Sequence, residues 1–117
     1  MKTKCPVTNA LTLIGGKWKI NIIYLLSEKS MRFGELKRAI GSVTQQMLSK
    51  QLREMEKDTL INRKVHEVVP PKVEYSLTKF GRSGIPVLKS LFEWGSKKKK
   101  TIDKVIDKHY LKAANSS

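Results

Sequence analysis

The chain has 117 residues, with 24 Lys and Arg against 10 Asp and Glu, a formal net charge of +14, and one cysteine. That length suits one domain with a modest core, and a lone cysteine excludes an intrachain disulfide framework. No apolar run nears the ~20 residues of a membrane span, and the Lys-Thr-Lys-Cys-Pro start has no apolar stretch of a secretion signal, so a cytoplasmic protein is expected.

In chain order, Val7, Leu11 and Ile14 form a short helical stripe over residues 7–14, broken by Gly15-Gly16. Trp18, Ile22, Leu25 and Leu26 recur with helical period and predict a second helix over about 17–27, with Trp18 in the core. Residues 27–30 read as a turn. Phe33, Leu36 and Ile40 predict a third helix, ended by Gly41 as glycine does beyond a helix C-terminus.

Thr44 is a suitable N-cap for a fourth helix, without a capping box because the third residue on is Met47. Leu48, Leu52 and Met55 face inward at i, i+4, i+7, while Gln45, Gln46, Ser49, Lys50 and Arg53 share the other face. The period then changes to two. Val65, Glu67 and Val69, then Val73, Tyr75 and Leu77, flank a Pro70-Pro71 loop and predict a β-hairpin, with Tyr75 packing it to the body.

Thr78 caps a fifth helix expected over about 79–94, loosened by Gly81, Gly84 and Pro86 and stopped by Gly95. Ile102, Val105, Ile106 and Tyr110 indicate a further helical stretch, and Asn115, Ser116 and Ser117 are expected to fray.

The fold class is therefore α+β, mainly α. Three helices, a hairpin and a helix make the order of a winged helix–turn–helix, with the helix–turn–helix at about 33–56 and the wing at about 62–78. A helix entering the major groove needs donors and acceptors on its exposed N-terminal side. Gln45, Gln46 and Ser49 can meet base edges, glutamine bidentately with adenine, and Lys50 or Arg53 can reach guanine or phosphate. Thr44, Arg32, Lys37, Arg63, Lys64 and Lys72 suit the phosphate backbone. A polar helix face alone is weak evidence. Its weight grows because residues 29–64 hold 9 basic and 4 acidic residues, on the segment this order assigns to DNA. Residues 1–95 carry 17 basic and 8 acidic residues, so the body is basic without the Lys97–Lys100 run.

The chain resembles the HxlR-type family of winged helix–turn–helix transcription regulators, of MarR-like architecture. The resemblance lies in Cys5-Pro6-Val7, Gly15-Gly16-Lys17-Trp18, Arg32-Phe33-Gly34-Glu35-Leu36, Met47-Leu48-Ser49-Lys50-Gln51-Leu52-Arg53, Pro70-Pro71-Lys72-Val73-Glu74-Tyr75-Ser76-Leu77-Thr78 and Gly81-Arg82-Ser83. It implies one domain over 1–117, with dimerisation helices at about 5–14 and 79–112, and a homodimer whose recognition helices meet successive major grooves of a palindrome. It further implies that Cys5 senses oxidants or electrophiles, or that a small molecule acts as effector. Lys2 and Lys4 are expected to favour the Cys5 thiolate. Thr59 departs from the family's usual glycine and is strained if its turn needs positive φ. Gly84 replaces a usual leucine.

Other function classes fit less well. A non-specific architectural binder would rest on charge alone. A thiol enzyme built on Cys5 lacks a resolving cysteine or a base. His66 and His109 are isolated in sequence, so neither a metal, a cofactor nor catalysis is expected.

Overall fold

The computed structural model describes residues 3–111, in two compact units, Met1–Ile85 and Pro86–Ser117. In the first unit, α1 (Pro6–Ile14) starts with proline at N1, where its missing N–H costs nothing, and buries no residue. α2 (Lys17–Leu26) buries Ile22, Ile23 and Leu26. Trp18 is only half-buried, short of the core position expected, and the Lys17 ammonium lies 4.5 Å from its ring centroid. A cation over an indole face stabilises a ring left partly in water.

Two residues after Ser30 form a short strand that periodicity cannot show, β1 (Met31–Arg32). α3 (Phe33–Ile40) follows at once, and the Glu35 carboxylate accepts from the Arg32 N–H at 3.0 Å, satisfying one open amide at the helix start. Gly41 ends α3 at φ +81°, a conformation that strains any side chain. α4 (Gln45–Lys57) begins as expected, the Thr44 hydroxyl accepting from the Met47 N–H at 3.1 Å.

The end of α4 is a Schellman motif. The Leu60 N–H bonds to the Met55 carbonyl and the Thr59 N–H to that of Glu56. The motif requires a left-handed residue, and Thr59 supplies it at φ +61°.

β2 (Ile61–His66) and β3 (Lys72–Leu77) form the hairpin, with Ile61 opposite Leu77 and Val65 opposite Val73. β1 pairs antiparallel with β3, Met31 opposite Tyr75, giving the order β1-β3-β2. The first hairpin strand thus starts before Val65 and ends at His66. Glu67 and Val69 lie outside it, because the Val68 N–H turns back to the His66 carbonyl and leaves the ladder. The core comprises Ile22, Ile23, Leu26, Met31, Leu36, Val43, Leu48, Leu52, Met55, Leu60, Ile61 and Leu77. Each comes from α2–α4, the sheet or their links, so the core holds α4 against the hairpin.

α5 (Lys79–Ser83) packs by its Gly81, where a Cβ would lie 2.2 Å from the Leu60 carbonyl oxygen. The single helix expected over 79–94 is instead divided at Gly84, the C-cap of α5. α6 (Ile85–Lys97) then runs through Gly95 rather than stopping there. An exposed glycine within a helix costs about 1 kcal/mol relative to alanine, which does not end a helix with good formers on both sides. α7 (Lys99–Ile106) and a turn of π-helix, Asp107–Leu111, complete the described chain. Asn115, Ser116 and Ser117, and Lys112 at the end of the expected dimerisation segment, lie outside the described residues.

Candidate nucleic-acid interface

α4 presents the five residues picked out as base readers on its solvent side. Gln45, Gln46, Lys50 and Arg53 are exposed and Ser49 is half-buried, while Leu48, Leu52 and Met55 anchor the opposite stripe. The separation follows from the 3.6-residue period. Gln45, Gln46, Ser49 and Arg53 line one open concavity of about 360 Å³. Lys50 is exposed but does not line it.

A neighbouring cleft of about 390 Å³ joins α4 to the hairpin. Its walls include Ser49, Leu52, Arg53 and Glu56 from α4, Arg63 from β2, Tyr75 from β3 and Phe33 from α3. Tyr75 sits centrally, opposite Arg63 on one side and Met31 on the other, and is half-buried as expected of a residue packing the hairpin to the body.

The residues picked out for the phosphate backbone are spread around this centre. Thr44 is exposed, and its hydroxyl accepts the cap bond while retaining its own proton to donate. Arg32 stands exposed at the start of α3 and Lys37 is half-buried on α3. Arg63 and Lys64 are exposed and consecutive on β2, so they project to opposite faces of the strand. Lys72 is less free than the sequence suggests. Its ammonium is 3.5 Å from Glu74 Oε1, which also lies 2.6 Å from His66 Nε2, at an angle outside good hydrogen-bond alignment.

Sequence reasoning passed over Lys19. Its ammonium reaches across from α2 to Glu54 Oε2 on α4 at 3.0 Å, with only 12% of the Lys19 side chain exposed. The Lys19 hydrogen bond, then its charge, hold the Glu54 carboxyl below its ordinary range. One of the acids on α4 is thereby paired with a cation from α2. The signal was faint, a lysine one residue beyond Trp18. The other acid of α4, Glu56, lines the cleft with Arg53 and Arg63.

Cys5 is exposed at the N-cap of α1. Its thiol is held below the ordinary range by the Thr8 hydroxyl first, then by the backbone N–H groups of Thr8 and Val7, although no cap hydrogen bond of good geometry forms. The cause is thus the opening turn of a helix, whose amides favour a negative charge. Lys4 is not among the contributors, and Lys2 lies outside the described residues. Among the described residues no three His, Cys, Asp or Glu side chains gather to hold a metal, and no helix is long and apolar enough to cross a membrane.

Residues 13–103 match the HxlR-like helix-turn-helix family. The chain belongs to that family. It is a transcription regulator of the winged helix–turn–helix class and not an enzyme. Among its relatives, the uncharacterized HTH-type transcriptional regulator YdeP of Bacillus subtilis (strain 168) is 50% identical over 101 residues, 86% of this chain and 79% of that protein. The uncharacterized HTH-type transcriptional regulator BH0655 of Halalkalibacterium halodurans is 55% identical over 93 residues, 79% of this chain and 82% of that protein. Among solved structures, the redox regulator HypR in its reduced form superposes with a TM-score of 0.82 at 44% identity, over 86% of this chain and 99% of that one.

Proposed function

We propose that this chain binds double-stranded DNA sequence-specifically, as a cytoplasmic homodimer on a palindromic operator. The observation that carries the reading is the shared concavity of Gln45, Gln46, Ser49 and Arg53 on the exposed side of α4. These side chains, with Lys50 beside them, read base edges from the major groove. Thr44, Arg32, Lys37, Arg63, Lys64 and Lys72 hold the phosphates and set the register. Dimerisation uses segments of about 5–14 and 79–112, where Val7 and Leu11 on α1 and Leu91 and Trp94 on α6 are exposed. Isolated exposed apolar residues are ordinary; a run of them marks a contact surface.

Selection of bound sites from random duplexes tests this reading. A palindrome with half-sites one helical turn apart supports a dimer reading two grooves. Recovery of unselected sequence, with affinity falling steeply in salt, would replace it with non-specific binding through the net charge.

Regulation through Cys5 is the second part of the proposal. Support comes from the low-lying thiol at the start of α1 and from the likeness to a structure described as a redox regulator. Oxidation or alkylation of Cys5 alters the first segment of the dimer contact and so the spacing of the two α4 helices.

A further inference from the structure

The side chains on the exposed face of α4 differ in what they have left to bond with, and that difference selects bases. We propose that Gln46 reads adenine and Arg53 reads guanine three base pairs farther along the groove, so that each half-site holds an A·T and a G·C pair at that spacing. The assignment rests on the DNA reading above and adds to it which bases are chosen.

The spacing follows from the helix. Gln46 and Arg53 are seven residues apart on α4, about 10.5 Å along the axis and within about 20° of one line. Three base-pair steps of about 3.4 Å cover the same length. Ser49 falls between them, and all three line one concavity with Gln45. Gln45 stands about 100° round the axis from Gln46 and so lies off this line.

Hydrogen bonding within α4 separates the committed side chains from the free ones. Gln51 Nε2 donates to the Met47 sulfur at 3.3 Å, so that amide is held within the helix. The side chains of Gln46, Ser49 and Arg53 make no hydrogen bond or ion pair with any described residue. Glu56, three residues beyond Arg53, lines the adjoining cleft without forming an ion pair with it.

Each free group matches one base. An amide sets one donor beside one acceptor, the complement of adenine N7 and its amino group. A guanidinium sets two parallel donors against guanine O6 and N7. Exchanging the two bases turns a donor of Arg53 on the adenine amino group and leaves the Gln46 amide oxygen facing a guanine acceptor. The Ser49 hydroxyl both donates and accepts, so the pair it meets is not selected. No acid lies between Gln46 and Arg53, so this line offers no carboxylate for a cytosine amino group.

Selection from randomised duplexes with the full chain is the first arm of the test. An A·T and a G·C pair three base pairs apart are expected within each half-site. Enriched half-sites that lack them, or hold them at another spacing, overturn the assignment and leave the DNA reading standing; recovery of unselected sequence overturns both. The second arm moves a preference instead of removing it. Arg53→Gln puts an amide where the guanidinium stood, and the favoured pair at that position should change from G·C to A·T by about 5- to 150-fold in competition between labelled duplexes. Gln46→Ala should erase the adenine preference and keep the one for guanine. Both side chains are exposed, so neither change disturbs the core. A loss in Arg53→Gln that is equal on all duplexes makes Arg53 a phosphate contact and overturns its assignment.

Discussion

The Thr78 hydroxyl donates to the Thr59 carbonyl at 2.6 Å, across nineteen residues of chain, and accepts from the Gly81 N–H at 2.9 Å. One side chain thus caps α5 and fixes the turn by which α4 enters the wing. That turn holds a threonine at φ +61°. A left-handed conformation costs a residue with a Cβ about 1–2 kcal/mol, and it persists because the surrounding bonds define the backbone.

Replacing Thr59 with glycine relieves this strain and adds entropy to the unfolded chain. The first effect exceeds the second, so Thr59→Gly is expected to stabilise by about 0.5–1 kcal/mol, raising Tm by several degrees in a thermal melt. Thr78→Val removes the cap and the tie to Thr59, and should cost about 1–2 kcal/mol. A neutral result for both would mean that the wing hinge stores no strain.

On α4, Gln46→Ala and Arg53→Ala each weaken operator binding by about 1–3 kcal/mol if the side chain reads a base, with preference relaxed at one position of the site. Competition binding against operator variants measures this. A loss equal on every sequence, with a smaller salt slope, would move the residue to the phosphate-contacting group.

Lys19 gives a prediction that concerns α4 from behind. Lys19→Met leaves the Glu54 charge without its Lys19 partner on α4, and, if α4 contacts DNA as proposed, duplex affinity should fall; Glu54→Gln in the same chain should restore it. The pair also has a pH signature. The folded-state pKa of Glu54 is lowered by Lys19. Its contribution to stability is therefore present above the unfolded-state pKa, near 4.5, and lost as pH falls through the lower folded value. Denaturation midpoints followed from neutral pH into that acid range should fall more in the wild type than in Lys19→Met. Glu35 adds a decline of the same sign, since its carboxyl is lowered mainly by the Arg32 N–H.

α3, the turn after it and α4 were legible in the sequence because they rest on local signals. The apolar stripe of Leu48, Leu52 and Met55, the Thr44 cap and the Gly41 stop each need only a few neighbouring residues. Even the strain at Thr59 was visible as a departure from the family's usual glycine. What escaped was set by partners distant in sequence. β1 has two residues and exists because Met31 and Arg32 find Tyr75 and Glu74. The start of β2 at Ile61 depends on its pairing with Leu77, and its end on the turn at Val68. Lys19 and Glu54 are joined only once α2 lies on α4. The cleft of Phe33, Arg63 and Tyr75 likewise has no contiguous sequence mark, since three elements build it.

Cys5 supplies a prediction that separates the cause of its reactivity from its consequence. Its thiol is lowered chiefly by the Thr8 hydroxyl, so Thr8→Val should raise the midpoint of the pH–rate curve for alkylation by iodoacetamide. The curve should keep part of its downward shift, because the amides of Thr8 and Val7 also favour the thiolate. Lys4→Ala should leave the curve in place, since Lys4 does not contribute. Operator affinity then tests regulation, measured before and after mild oxidant or methylglyoxal in wild type, Thr8→Val and Cys5→Ser. A sensor gives a response in the wild type, a slower one in Thr8→Val at neutral pH and none in Cys5→Ser. If Cys5→Ser responds as the wild type does, the thiol has no part in regulation.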